Sequence, residues 1–597
     1  MNSTATEDPV APERSYHAPA IRPEMTVRQV VALYPACRDI FRQLGEPDDR
    51  LGPGGVRGPF GHFQPLDQFA LQHSANLDEL LQRLSVAAGV PVDRARMAAE
   101  RIHRGFILAA LAITLSLGAM WGGYLLAIIG LSKKFDMVYS AHVIAHGEAQ
   151  LWGFIGLFIV GIALRTVLKD AASSRVRQRL CQAGLWLTLV ALACGVAWSL
   201  APQRLAGLGV ASAMVLLVLS AALWAVQWNI VRQKWRATWA RAVFMSGLWL
   251  VVWAAVTLYL RLQAGNAGPS VYSHDARMTI IKLAVFGFAM NSIYGFGQML
   301  LPGLLRIGKP RLRAVEFSFW LHNTGVGLMF VASGLPSYVR QVSVGQGLAG
   351  LFEAAGSLAV CGGAISFAVG QRGLIGKRRT SLRLEQGHWL LDAYPPLAFA
   401  WLIIALGLLS VGNIQAAVTG QPLSHAFAGA VRHALTVGFM TTLILGVGQR
   451  LLPVLEHNVL RSPGLVAPIL ICIGVGNLWR VTSQLATLQT PLAFWIMPVS
   501  AIFEWTALLL FSVSVLRQFA RRRTLLNGNR VTSHTSLAEL LAAAPMIEDK
   551  LIQRGFAYLV RARSVPSELT IGSFALSEKV DPAELVEWIN RHLTQKT

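Results

Sequence analysis

The sequence predicts an all-α protein: a twelve-span membrane helix bundle with a pseudo-threefold repeat, plus a small helical soluble domain at each end. Three observations support this fold class. Of the 597 residues, 54% are hydrophobic and only 14% are charged, which is too apolar for an ordinary soluble domain. The apolar residues form separate runs of about 20, the length that crosses a bilayer. A glycine-marked pattern recurs on three of these runs.

Twelve segments are long and apolar enough to cross a hydrocarbon core of about 30 Å. They lie near 105–130, 141–165, 180–200, 205–228, 242–260, 274–302, 314–335, 346–370, 388–410, 424–452, 464–483 and 493–516. The loops between them are short, so consecutive helices are expected to be antiparallel. The N-terminus is polar and rich in proline, and we therefore expect no cleavable signal peptide.

The net charge of +22 is concentrated in the apolar part of the chain. Residues 1–104 and 531–597 each carry a net charge of −1, whereas 105–530 carry +24. One alternating set of loops holds 25 Lys and Arg, and the opposite set holds 7, counting Arg261 and Arg480. By the positive-inside rule this predicts that both termini are cytoplasmic. The slightly acidic soluble ends lack the basic surface of a nucleic-acid-binding protein.

The two soluble ends show the same order of elements: a short helix, a proline, a second helix and two further helices. We predict a disordered tail over 1–24 and small helical domains over 25–100 and 531–597, with Pro35 and Pro545 in equivalent places. This pattern resembles a small family of domains of unknown function that accompanies nitrosative-stress and hybrid-cluster proteins. Docking or self-association is the expected role.

The repeat inside the membrane region lies on spans 2, 6 and 10. Residues 273–302 and 424–453 align without a gap, and span 2 is a fainter third copy. Gly153, Gly287 and Gly438 correspond, and each is followed eight residues later by a second glycine. Because the copies are four spans apart, they predict three similar arcs around a pseudo-threefold axis. Glycines of this kind usually mark close helix packing in membranes.

Six of the fourteen histidines fall within spans 2, 6, 7 and 10. They are His142, His146, His274, His322, His425 and His433. All but His322 are predicted at one depth, near the outer ends of their spans. Polar groups inside a bilayer are costly and usually functional, and imidazole is a ligand that suits haem iron and copper. The histidines therefore predict haem or metal ligation, with structural or proton-relay roles as the alternative.

Charged residues also fall near the histidine layer. Lys282 and Arg432 are the cations placed well inside predicted spans, where they would pair with haem propionates. The alternative is a snorkelling side chain, or an ion pair with an acid such as Glu148. Glu148, Glu353 and Glu504 are the most deeply placed acids and are candidate proton carriers.

Two histidine-bearing stretches carry a resemblance to a known family. "HVIAHGEAQLWGFIGLFIVGIALR" on span 2 and "HALTVGFMTTLILGVGQR" on span 10 resemble the NnrS family, and the likeness covers about 105–520. Members are haem- and copper-containing proteins of the bacterial cytoplasmic membrane, linked to nitric oxide stress. The resemblance implies His142, His146 and His433 as haem ligands. A copper or second haem would use the remaining candidates, His274, His322 and His425.

Two departures limit what the resemblance implies. Family members often carry His-x-His on span 2, where this chain has Glu148 after His146. The more distant haem-copper oxidases carry adjacent histidines on span 7 and His-x-His on span 10, and this chain carries neither. A standard oxygen-reducing centre is therefore not expected.

The expected partners follow from the resemblance: a lipid bilayer, nitric oxide or a similar small ligand, and an electron donor that no motif identifies. A nitric oxide-related oxidoreductase is one interpretation. A membrane transporter, and a sensor or assembly scaffold that uses the terminal domains, are the alternatives without redox chemistry.

Overall fold

The computed structural model describes residues 101–168, 175–305, 310–334, 343–371, 389–456 and 460–520, together with parts of 20–90 and 531–594. Contacts divide the chain into two compact units. One unit comprises Ala95–Glu456 and Leu460–Ala520, and the other comprises Met1–Arg94, His457–Val459 and Arg521–Thr597. Residues 1–19 of the predicted tail lie outside the described residues.

Within the described residues, eleven helices are long and apolar enough to cross a bilayer, which makes the chain a multi-pass membrane protein. They are numbered by predicted span: α1 Ile102–Ser132, α2 Ser140–Arg165, α3 Val176–Leu200, α4 Pro202–Lys234, α5 Thr238–Val271, α6 His274–Pro302, α8 Gly347–Gly370, α9 Leu390–Thr419, α10 His425–Leu455, α11 Pro463–Ala486 and α12 Leu492–Phe519. The helix at the seventh predicted position, Leu312–Gly334, is α7. Its Glu316 and central His322–Thr324 make it less apolar than the others.

Two arginines that the loop count assigned to the outside lie inside helices. Arg261 is in the α-helix Thr238–Ala264 and is 1% exposed, and Arg480 is in Val466–Ala486 and is 4% exposed. The prediction that Lys282 and Arg432 are the only cations well inside spans is therefore wrong. A charged residue lowers the local hydropathy and so suggests the end of a span. The helix nevertheless continues past such a residue when its side chain is buried within the bundle.

The three helices that carry the repeat share one internal geometry. Each begins with a nine-residue α-helical segment and continues as an eight-residue π-helical segment. The pairs are Ser140–Glu148 with Ala149–Gly156, His274–Lys282 with Leu283–Met290, and His425–His433 with Ala434–Thr441. The apolar windows of these helices are 67% to 78% buried, against 28% to 44% in the other candidate spans. α2, α6 and α10 therefore form the centre of the bundle.

Glycines bring each central helix against the helix that precedes it: α2 packs on α1, α6 on α5 and α10 on α9. A Cβ at Gly287 would lie 2.7 Å from the Trp249 side chain, and one at Gly438 would lie 2.8 Å from Trp401. Eight residues after Gly438, a Cβ at Gly446 would lie 2.3 Å from the Tyr394 Cβ. These contacts confirm that the marked glycines allow close helix packing.

Each soluble end has a hydrophobic core of its own. The N-terminal core includes residues of the helices Val27–Leu33, Arg38–Gln43 and Leu77–Ala87. The C-terminal core includes residues of Ile571–Ser577 and Pro582–Thr594. Pro35 begins a short 3₁₀ turn, whereas Pro545 lies outside the described residues. The equivalence of the two ends therefore stays a prediction.

An ion cluster joins Glu456, the first residue after α10, to the start of α1. Glu456 pairs with Arg104, and His103 Nε2 lies 2.9 Å from Glu456 Oε1. Burial of Glu456 opposes its ionisation. Hydrogen bonds from His103 and Arg104, together with their charges, outweigh burial and hold the pKa of Glu456 at about 2.

The cluster predicts acid sensitivity. Because the pKa of Glu456 is about 2 when folded and about 4.3 when unfolded, its stabilisation is present above about pH 4.3 and is lost as the pH falls toward 2. Glu456→Gln should therefore flatten the fall in unfolding temperature between about pH 5 and pH 3. The measurement is thermal unfolding in detergent at each pH. Equal slopes for the variant and the parent protein would contradict the assignment.

The glycine contacts predict a position-specific effect of one methyl group. Gly446→Ala should lower the free energy of unfolding by about 1–3 kcal/mol, because the new Cβ overlaps Tyr394. Gly407→Ala is the matched control, since Gly407 is also within a membrane helix and a Cβ there meets nothing within 4 Å. Thermal unfolding of both variants in the same detergent tests this. A control that is destabilised as much as Gly446→Ala would count against specific packing.

Candidate functional site

His146 of α2 is held in one orientation by α1. Its Nδ1 donates to the Gly118 carbonyl at 3.0 Å. Gly118 ends a π-helical segment of α1, Thr114–Gly118, and Gly122 leaves room for the ring, because a Cβ there would lie 2.7 Å from the His146 Cε1. With Nδ1 donating, Nε2 carries the lone pair that a metal ion or haem iron would use.

His433 of α10 also carries its proton on Nδ1, but the carbonyl that fixes this tautomer belongs to its own helix. Its Nδ1 donates to the Gly429 carbonyl, one turn earlier, at 3.1 Å. The two imidazoles lie within electrostatic range of each other, and Arg480 of α11 lies within range of both. The structure therefore places His146 and His433, two of the three residues that the sequence predicted as haem ligands, in the same region of the bundle.

His142 lies one helical turn before His146, in an aromatic environment. Its ring meets the edges of Trp121 and Tyr139, with centroids 5.6 and 5.8 Å away. The predicted shared face of His142 and His146 is consistent with their spacing on one α-helical segment, Ser140–Glu148. Of these two imidazoles, His146 is the one whose ring nitrogen donates to a backbone carbonyl in the described structure.

The three predicted metal ligands are not assembled into one site. His274 and His425 are exposed at the first positions of α6 and α10 and lie within electrostatic range of each other. His322 is fully buried on α7, where its Nε2 donates to the Phe286 carbonyl at 2.9 Å and its ring packs on Tyr294. Among the residues that the structure describes, no three His, Cys, Asp or Glu side chains are grouped as a metal site.

The two predicted propionate partners have different surroundings. Lys282 forms an ion pair with Glu353 of α8, and its Nζ lies 3.4 Å from the Ser333 Oγ. Arg432 contacts the Met278 Sδ at 3.7 Å and has no acidic group within ion-pair distance in the described part of the chain. Of the two cations, Arg432 is therefore the one available to an anionic ligand.

Glu148 pairs with a residue that the sequence analysis placed in a loop. Both carboxylate oxygens accept from Arg261 Nη2, at 2.8 and 2.9 Å. Arg261 Nη1 also donates to the Gly209 carbonyl at 3.1 Å and to Ser212, and its guanidinium lies over Trp198. The sequence contained a signal for this ion pair: Arg261 is a lone cation at the end of one apolar run, and Glu148 is a lone acid within another.

Cys37 in the N-terminal unit is a packed thiol. Its side chain is fully buried, and its Sγ donates to the Leu84 carbonyl at 3.3 Å. Burial raises the pKa of Cys37 to about 11, so the thiolate form that binds metals is disfavoured. The structure therefore gives Cys37 a role in the core of the N-terminal unit.

These contacts define the class of site: two imidazoles on central helices of a membrane bundle, each oriented by a backbone carbonyl, with the buried Arg480 and the half-buried Arg432 nearby. No family model matches the sequence, and no curated protein is similar to it.

The buried ion pair predicts a large effect of a conservative substitution. Glu148→Gln should lower the free energy of unfolding by about 3–5 kcal/mol, because it leaves the charge of Arg261 buried without its partner. Glu316→Gln is the control, since the ion pair of Glu316 with Arg241 is partly exposed and should contribute about 0–1 kcal/mol. The two variants are compared by thermal unfolding in detergent. Similar losses in both would show that burial does not set the energy of the Glu148 pair.

Proposed function

We propose that the chain is a haem-binding membrane protein of NnrS type that acts in the response to nitric oxide or in its turnover. The observation that carries the proposal is the pairing of His146 with His433. The two side chains come from different central helices, lie within electrostatic range, and each donate through Nδ1 to a carbonyl.

The donor set fits haem iron. Haem is commonly held by neutral imidazole, and the second nitrogen of a ligating histidine usually donates to a carbonyl or a carboxylate. His146 and His433 both meet this requirement and would hold the iron through Nε2. His142 is the weaker candidate, because its ring is placed among Trp121 and Tyr139.

The surrounding residues fit the rest of such a cofactor. Arg432 directly precedes His433 and has no acidic partner among the described residues, so it is the candidate for a propionate. Lys282, which the sequence also nominated, already pairs with Glu353. When bound, ferrous haem supplies an iron centre that binds nitric oxide. The protein would orient the imidazoles, balance the propionate charge and exclude bulk water.

The proposal includes a twelve-span arrangement with a pseudo-threefold axis in a bacterial cytoplasmic membrane. It is supported by α7 at the seventh predicted position and by the shared α-to-π geometry of α2, α6 and α10. Moving Arg261 and Arg480 out of the loop count increases the imbalance between the two loop sets. This supports a threading with both termini in the cytoplasm.

Copper at His274, His322 and His425 stays a prediction, as do an electron donor and self-association through the terminal domains. Of the three histidines, His274 and His425 lie within electrostatic range of each other, whereas the His322 Nε2 donates to the Phe286 carbonyl. Metal analysis of the purified protein tests the copper prediction separately from haem.

The haem proposal predicts a spectroscopic difference between neighbouring histidines. The purified protein should show a Soret band that changes when nitric oxide is added to the reduced form. His146→Ala and His433→Ala should each lose most of the haem, because each removes an axial ligand. His142→Ala is the matched control, one turn from His146 on the same helix, and should keep the haem content of the parent protein.

The measurement is haem per polypeptide from the visible spectrum, in variants that remain monodisperse in detergent. A well-folded parent protein without Soret absorption would overturn the proposal and leave the transporter and scaffold interpretations. Loss of haem in His142→Ala, with retention in His146→Ala, would overturn the ligand assignment.

A further inference from the structure

A buried polar stripe runs along α11. Asn477, Arg480 and Gln484 are spaced at i, i+3 and i+7, which places them on one helical face, and they are 0%, 4% and 2% exposed. Among the described residues, the Asn477 Nδ2 and Oδ1, the Arg480 Nε and Nη1, and the Gln484 Oε1 are buried without hydrogen-bond partners. Buried polar atoms in native proteins are normally satisfied, so this stripe points to a bound group or ordered water.

The stripe faces α10 and not lipid. A Cβ at Gly429 would lie 2.0 Å from the Gln484 Nε2, and one at Gly438 would lie 2.6 Å from the Asn477 Nδ2. The two glycines of α10 thus let the amide side chains of Gln484 and Asn477 pack against the α10 backbone. His433 lies between them in sequence, and Arg480 lies within electrostatic range of it.

Positive charge is in excess around Arg480. Arg432, His146, His425 and His433 are within electrostatic range of it. The acid that faces Arg480 from α12 is Glu504, whose Oε1 is itself buried without a hydrogen-bond partner in the described structure.

Arg432 adds a second guanidinium whose charged neighbour is Arg277. In a membrane interior, buried cations need a compensating charge. Among the described residues, one acid opposite the buried Arg480 and the half-buried Arg432 leaves a net positive charge in this region.

We propose that Arg480 and Arg432, with the amide of Asn477, bind a small monovalent oxyanion or a carboxylate. The Nε and Nη1 of Arg480 are unpartnered donors among the described residues, and each can donate a hydrogen bond to an oxygen of an anion. The Asn477 Nδ2 supplies a further donor. The acceptor atoms, Asn477 Oδ1 and Gln484 Oε1, would bond to water at the margins of the site.

The site lies at one depth in the bundle. Arg480 is six residues from the end of α11, and Arg432 is seven residues from the start of α10. At 1.5 Å per residue, both lie about 10 Å from the same end of the antiparallel pair. The inference goes beyond haem binding, because these donors are present in the protein whether or not His146 and His433 hold a cofactor.

Nitrate is the probe for the test, because it is small, planar and monovalent. Haem-free protein in detergent is titrated with sodium nitrate by calorimetry at constant ionic strength maintained with sodium chloride. We expect saturable binding that weakens at least tenfold in Arg480→Gln. Arg480→Lys keeps the charge but loses the guanidinium Nε and Nη1 donors, and should also weaken binding. Arg204→Gln is the matched control, an exposed arginine at the same end of the bundle, and should bind nitrate as the parent protein does.

A second arm distinguishes the source of the anion. The protein is loaded with haem or with haem dimethyl ester, which lacks free carboxylates, and nitrate is titrated again. Loss of nitrate binding with haem but not with the ester identifies a cofactor carboxylate as the occupant. Retention with both identifies a free anion. Either result supports the site.

Absence of saturable nitrate binding in folded haem-free protein overturns the proposal. So does binding that is unchanged in both Arg480→Gln and Arg480→Lys while these variants elute as the parent protein does. Because the first arm uses haem-free protein, failure of the haem proposal leaves this test intact, and failure of this test leaves the haem ligands open.

Discussion

The cost of placing charge inside a bilayer governs the centre of this protein. Glu148, Lys282 and His433 each occupy the last position of the nine-residue segment that precedes a π-helical segment. Glu148 pairs with Arg261 and Lys282 pairs with Glu353, so the first two charges are matched by neighbouring helices. The third position holds the imidazole of His433, which supplies no negative charge to match the nearby arginines of α10 and α11. The break in the pattern is where the proposed chemistry lies.

The glycines and the π-helical segments make this arrangement possible. Close packing at Gly287 and Gly438 brings each central helix against the aromatic side chains of its neighbour. π-helical segments are often found at functional sites, where they shift side chains relative to a regular α-helix. In the three central helices the π-helical segments follow directly after Glu148, Lys282 and His433. Packing and polar groups are therefore arranged by the same repeated stretch of sequence.

Much of the fold could be predicted, because length and apolarity determine where a helix can cross a membrane. Most helices lie within a few residues of the predicted spans, although α4, α5 and α9 continue 6, 11 and 9 residues past the predicted ends. The repeat alignment pairs the segments that share geometry. The site was predicted less completely. Arg261 and Arg480 were assigned to loops, because a charge at the margin of an apolar run has the same pattern whether it faces water or a buried partner. The choice between His142 and His146 depended on the Gly118 carbonyl, a contact between helices that spacing within one helix does not reveal.

The central claim is that the polar centre between α2 and α10 is a binding site and not merely packing. The most direct measurement is a cryo-electron microscopy map of the protein purified from cells supplied with a haem precursor. The account predicts non-protein density bounded by the side chains of His146 and His433, with Arg432 and Arg480 at its margin. A map in which these four side chains pack directly on one another, with no density between the two imidazoles, would contradict it.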